Sequence, residues 1–175
     1  MGNVIFVVVF GVLGGALLGS YLQLYYAISN VSLAWKVLAN HALAKRQALV
    51  SLAQLLQQDA SKIEKEIAFL SEHSSIPWRK FLRNGYTILF AFREMEESLP
   101  QFLAELLDSL DSCENQRQAL LWIENFWARE NLFSFEIAAY EQAVEKYLKL
   151  RRQGSLWCAQ HLFRFLDLPE IRLSR

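Results

Sequence analysis

The side chains able to do chemistry in this chain are few and dispersed. Its three histidines, His41, His73 and His161, lie on different elements, and none stands at the Glu-x-x-His spacing with which helices present metal ligands. Carboxylates gather in Arg93-Glu94-Met95-Glu96-Glu97 and at Asp108 and Asp111. A metal site or an acid–base pair would need such groups to converge, whereas here they read as a solvated helix face and a helix terminus. Cys113 has no neighbouring histidine or basic residue in sequence to lower its thiol pKa. With no nucleophile–base pair, phosphate loop or ligand cluster, the sequence assigns no catalytic, cofactor-binding or metal-binding residue. The expectation is a protein that is not an enzyme and carries no cofactor.

Two charged residues and three glycines stand out for their positions. Lys45 is the one polar member of the apolar face Trp35, Leu38, Ala42, Lys45, Leu49, Leu52 and Leu56, and Glu130 holds the same place in Ala119, Ile123, Phe126, Glu130, Phe133, Ile137, Tyr140, Val144 and Tyr147. Either the two form a buried pair that sets helix register, or each long side chain snorkels out of a narrow seam. The register expected from the helix lengths sets them more than a helical turn apart, which argues against pairing. Gly11, Gly15 and Gly19 form a tandem GxxxG, the spacing that lets two membrane helices approach closely. They are the candidate self-association residues of a homo-oligomer, although glycine is also ordinary in membrane helices.

Those glycines lie in a stretch long enough to cross a bilayer. Val4 to Leu22 is apolar or aromatic except for glycine and Ser20, and no charged side chain precedes Lys36. About 20 such residues at ~1.5 Å rise span a hydrocarbon layer of about 30 Å. Tyr21, Tyr25 and Tyr26 follow, where aromatic rings favour the membrane interface. A cleaved secretory signal would open with a basic region, and Met1-Gly2-Asn3 has none. N-myristoylation is set aside because Phe6 stands where the motif wants Ser or Thr. Lys36, Lys45 and Arg46 follow the span and none precedes it, so the positive-inside tendency puts the C-terminal part in the cytoplasm.

Composition describes the remainder. Seven glycines, four of them in the span, and three prolines leave few breakers, so long helices are expected rather than sheets. The net charge is zero with no basic block, so nucleic acid is not an expected partner. The first soluble helix reads from about Asn30 to Glu72, a heptad seam with a stutter between Leu56 and Ala60. A shorter helix follows from Pro77 to about Ser98, interrupted near Gly85, and a brief one starts at Ser98-Leu99-Pro100 and runs to about Leu110. Asp111 and Glu114 have capping-box spacing for a last helix to Gln153, with Gly154 as its C′ residue. Cys113 and Cys158 flank that helix roughly 60 Å apart at ~1.5 Å per residue, which excludes an internal disulfide if the helix is unbroken. The fold class is all-α: an N-terminal transmembrane helix followed by an elongated antiparallel helical bundle of about four helices. Residues 1–28 form the anchor and juxtamembrane segment; residues 29–175 form the bundle and a C-terminal tail. The tail, with Trp157, Leu162, Phe163 and Leu166 beside Arg151, Arg152 and Arg164, either lies in the lipid interface or caps the core.

The segment from Glu130-Asn131 through Phe135, Tyr140 and Ala143-Val144 to Tyr147 resembles the signature of the bacterial LemA family, matching it without a gap. Leu162, Phe163 and Phe165 are similar to that family's LFGF segment, and Ala34-Trp35 with Lys45-Arg46, Leu49 and Leu52 to its first helix. The likeness covers the anchor and both long helices. It departs at Glu141 and Leu148, where the family has Asn, at Gly154-Ser155 in place of Phe-Pro, at Val50-Ser51 in place of Pro-Asn, and throughout residues 76–110, which do not align. The chain looks like a divergent member. The resemblance implies an N-terminally anchored helical bundle in a bacterial inner membrane and no established biochemical activity. The expected function is a non-enzymatic scaffold that recruits protein partners at the membrane. The alternative is a bundle holding a small ligand among Trp78, Trp122 and Trp127.

Overall fold

Long apolar seams with few helix breakers can bury themselves only by packing helix on helix. The computed structural model, which describes residues 2–110 and 115–169 and their side chains from Val7 onward, contains no strand among the described residues. Its helices are α1 (Gly2–Leu55), α2 (Ser61–His73), α3 (Trp78–Asp108), α4 (Gln116–Arg151) and α5 (Trp157–Phe163), with a 3-10 turn at Gly154–Leu156.

α1 is the long apolar element, about 80 Å at ~1.5 Å per residue. It changes character along its length without a break. Val7 is 68% exposed and Phe10 61%, whereas from Leu24 onward one face, including Ile28, Val31, Trp35 and Leu38, is buried. The helix is long and apolar enough to cross a membrane.

The other helices fold around its second half. α2 turns back along α1, with Arg46 reaching Glu66 and the Trp35 Nε1–H donating to the His73 carbonyl at 2.8 Å. α3 runs in the direction of α1, from Trp78 beside Tyr25 (6.2 Å between rings) to Ser109, whose hydroxyl accepts from Gln58 Nε2 at 3.2 Å. α4 descends against α1: Glu130 meets Lys45, and ten residues on Tyr140 meets Trp35, ten residues back. α3 and α4 touch each other only sparingly, through large side chains such as Phe92 and Phe133 (6.1 Å). Two apolar clusters result. One surrounds Trp35, Phe81, Tyr140 and Tyr147, and the other Leu49, Leu52, Ile63, Leu103 and Phe126; Lys45 and Arg46 lie between them.

Several boundaries differ from the sequence expectation. The helix read from Asn30 to Glu72 is two antiparallel helices, and the stutter at Leu56–Ala60 is where the chain turns. Gln57 takes a left-handed φ of 55°, and the Asp59 carboxylate accepts from the Ser61 N–H (2.9 Å) and hydroxyl (3.0 Å) to start α2. Those bonds hold the Asp59 carboxyl below the usual carboxylate range, the backbone bond being the larger cause. Between Pro77 and Leu110 the expected pair of helices is the single α3, with Gly85 and Pro100 both inside it. A proline there costs about 3 kcal/mol. Burial of Leu99, Leu103 and Leu106 on one face, at about 1.5–3 kcal/mol each, offsets that cost. Gly85 does not bend the helix; it lies against the tail, where a Cβ would stand 3.0 Å from the Leu168 side chain and press on it. Gly154 does not act as a left-handed C′ residue; it opens the 3-10 turn, and Arg164 after α5 takes the left-handed conformation instead (φ 55°). Asp111, Cys113 and Glu114 lie outside the described residues, and Cys158 is exposed.

Tyr140 shows what the α1–α4 contact is made of. Its ring is buried against Trp35, and its hydroxyl has no hydrogen-bond partner, so burial pushes its pKa up. Tyr140→Ala should cost about 3 kcal/mol and lower the melting temperature by several degrees, as read by circular dichroism. Tyr140→Phe should be neutral or stabilising, since it removes a buried group with no partner. Lys146→Ala, on the exposed face, should stay within about 0.5 kcal/mol. Equal, small losses for both alanine variants would mean that the seam is not the inside of this protein.

Candidate functional site: a buried charge cluster beneath a groove

Lys45 and Arg46 are consecutive on α1, so their side chains leave the helix about 100° apart and reach different neighbours. Both are buried, at 1% and 0% exposure. The Lys45 ammonium donates to Glu130 Oε2 on α4 at 2.8 Å and to Glu96 Oε2 on α3. It also sits 3.6 Å from the centre of the Phe133 ring, a cation–π contact. Arg46 Nε donates to Glu66 Oε2 on α2 at 2.8 Å, and Nη1 donates to Glu96 Oε1 at 2.7 Å and to the Ala42 carbonyl at 3.2 Å. Glu96 is thus shared between the two cations, and four helices meet in one ionic layer. Two cations face three carboxylates, a formal charge of −1, and Arg46 Nη2 has no hydrogen-bond partner.

A groove of about 390 Å³ opens between α3 and α4 above this layer. Lys45, Glu96 and Glu130 form its floor, and Leu99, Leu103, Phe126 and Trp127 its apolar walls. Glu130, 32% exposed, is the floor residue most open to solvent. Such a floor can orient a polar group by hydrogen bonding. His73 and His161 are instead directed at the carbonyls of Phe69 and Trp157 in their own helices. Among the described residues no group of three His, Cys, Asp or Glu is placed to hold a metal ion.

The structure corrects two expectations about these residues. Lys45 and Glu130 are directly paired, because the turn after Leu55 and the limits of α4 set a register different from that of one long first helix. Glu96 does not belong to a solvated face. α3 continues past Ser98, which puts Glu96 in line with Leu89, Phe92, Leu99 and Leu103, while Glu97 remains outside and pairs with Arg93 at 2.7 Å. Glu66 was missed for a similar reason: in α2 it stands between Ile63 and Leu70 at three- and four-residue steps, a signal present in the sequence. Gly11, Gly15 and Gly19 take no part in the cluster, and nothing lies within 4 Å of where a Cβ on any of them would be. Trp127 lines the groove, whereas Trp78 stacks on Phe165 near the far end and Trp122 packs on the second apolar cluster, so the three do not form one cavity.

No family model, curated protein or solved structure matches this chain. The likeness to LemA proteins therefore rests on the residues quoted above.

Removing one member of a buried ion network leaves its partner charged and uncompensated. Glu96→Ala should destabilise the protein by about 3 kcal/mol or more, measured by urea unfolding, because both cations lose a partner. Glu97→Ala, which breaks only the exposed Arg93 pair, should cost under about 0.5 kcal/mol. Similar values for the two would remove the cluster from any structural role.

Proposed function

We propose that this chain is a membrane-anchored helical-bundle protein of LemA type that acts without catalysis, as a scaffold recruiting protein partners at a bacterial inner membrane. The observation that carries this reading is the continuity of α1. An uncovered apolar stretch passes into a buried core within one unbroken helix, so the helical body is fixed rigidly to whatever holds its first half. The residues behind the family resemblance support it: Trp35, Lys45, Arg46, Glu130, Tyr140 and Tyr147 all meet in the α1–α4 contact and its ionic layer. Leu121, Leu132 and Phe135 leave apolar side chains exposed along α4, the kind of surface a recruiting helix offers. The groove of about 390 Å³ favours a second reading, a small ligand held over Lys45 between α3 and α4, since its size falls within that of ligand sites.

In this reading the body is cytoplasmic. A cysteine introduced at an exposed α3 position such as Tyr86 should resist an impermeant thiol reagent in intact cells and react after lysis. Labelling from outside would overturn the orientation. Recruitment and ligand binding are separated by Leu103→Trp, which fills the groove: cross-links formed from Phe135 to partner proteins should persist, and their loss would favour the ligand reading.

The open glycine face is the proposed site of self-association. Gly15→Ile should weaken dimerisation of the isolated span in a membrane reporter by separating the backbones. An unchanged signal would leave Gly11, Gly15 and Gly19 as ordinary span residues.

A further inference from the structure

The C-terminal tail both caps the core and keeps an outward apolar face. Leu156, Ala159, Phe165 and Leu168 are buried. The Tyr147 hydroxyl donates to the Leu166 carbonyl at 2.7 Å, Arg151 Nε donates to the Phe165 carbonyl at 2.8 Å, and Phe165 stacks on Trp78 with ring centres 5.3 Å apart. Held in this way, the tail presents Trp157, Leu162 and Leu166 to the outside. Its height on the molecule is fixed by Tyr21, whose ring meets Phe163 at 4.6 Å, where α1 passes from uncovered apolar helix to core.

The same level is strongly cationic. The three segments that meet there, residues 20–27, 78–83 and 149–168, carry the Arg151–Asp167 pair and six further cations, while Glu72 and Glu145 stand just outside them. Those six are Arg79, Lys80, Arg83, Lys149, Arg152 and Arg164, all exposed, and of them Arg152 is already engaged within the body. They come from three separate parts of a chain whose net charge is zero.

We propose that this end of the body is a collar that seats on anionic lipid headgroups, with Trp157, Leu162 and Leu166 entering the interface and the six cations lying over the phosphates. The proposal rests on the reading of α1 as a membrane anchor. Charge complementarity selects the occupant. Basic residues within a Debye length of about 10 Å are drawn to an anionic leaflet, and aromatic and aliphatic groups beside them gain from the interface. A second copy at the same height would bring the same six cations against these. The arrangement also strengthens the positive charge at the exit of the span, which in sequence begins only at Lys36.

The test uses the full chain with Cys113→Ser and Cys158→Ser, reconstituted in vesicles of phosphatidylcholine alone or mixed with phosphatidylglycerol. An environment-sensitive fluorophore is placed at Leu162→Cys or, in a second protein, at Leu13→Cys, and quenched by lipids spin-labelled near the headgroup or deep in the acyl chain. The Leu13 label should be quenched by the deep probe in both vesicles. The Leu162 label should be quenched by the shallow probe in the anionic vesicles, with loss of that quenching in Lys80→Glu/Arg83→Glu at unchanged helicity. A Leu162 label that stays open to an aqueous quencher in anionic vesicles, while Leu13 is deep, overturns the collar and leaves the anchor standing. Absence of deep quenching at Leu13 overturns the anchor reading and the collar with it. Protection at Leu162 that follows protein density and ignores lipid charge assigns the surface to a second copy and overturns the lipid assignment.

Discussion

Two adjacent cations buried midway along the packed half of α1 constrain the rest of this structure. An uncompensated charge in a protein interior is expensive enough that its partners must arrive with it. Lys45 and Arg46 therefore require carboxylates from α2, α3 and α4 at the same height, and Glu66, Glu96 and Glu130 supply them. Apolar seams alone would tolerate sliding by a turn, since one leucine layer resembles the next. The ionic layer does not, because a one-turn slip of α4 would part Glu130 from Lys45 and carry Tyr140 away from Trp35.

The same helix that carries this layer also carries the uncovered apolar stretch. Every other major element packs on α1, while α3 and α4 scarcely meet, so the body is organised around one shaft rather than around a symmetric centre. The sparse α3–α4 contact is what leaves the groove over Lys45 open. It also makes the body's position relative to the proposed anchor a property of one continuous helix, with no linker to decouple them.

The element types were legible in the sequence because they depend on local composition: scarce Gly and Pro, three- and four-residue apolar steps, and an uncharged N-terminal stretch. The buried seams through Trp35 and through Tyr140 were read correctly, with the lone charges at Lys45 and Glu130 marked as unusual. Boundaries were less legible, since Gly85 and Pro100 look like breaks and are not. Burial along the α3 face outweighs the proline, and Gly85 sits within the helix with the Leu168 side chain packed close against it. Conversely, Gln57-Gln58 carries no strong turn signal, yet the chain reverses there.

The sequence by itself determined that this protein is helical, that its first segment is apolar enough for a bilayer, and which faces of α1 and α4 turn inward, because periodicity and hydropathy are local properties. Only the tertiary structure decided which charges meet. Glu66, Glu96 and Glu130 are dispersed over 65 residues and become neighbours through the three successive reversals from α1 to α2, α2 to α3 and α3 to α4. The cationic level at the end of the body has the same origin, since the start of α3 and the tail reach one height only when Trp78 and Phe165 stack beside Tyr21 and Tyr25 of α1. Charge proximity depends on distances through space, and those follow from helix register, which a linear pattern of apolar residues leaves open to slips of whole turns.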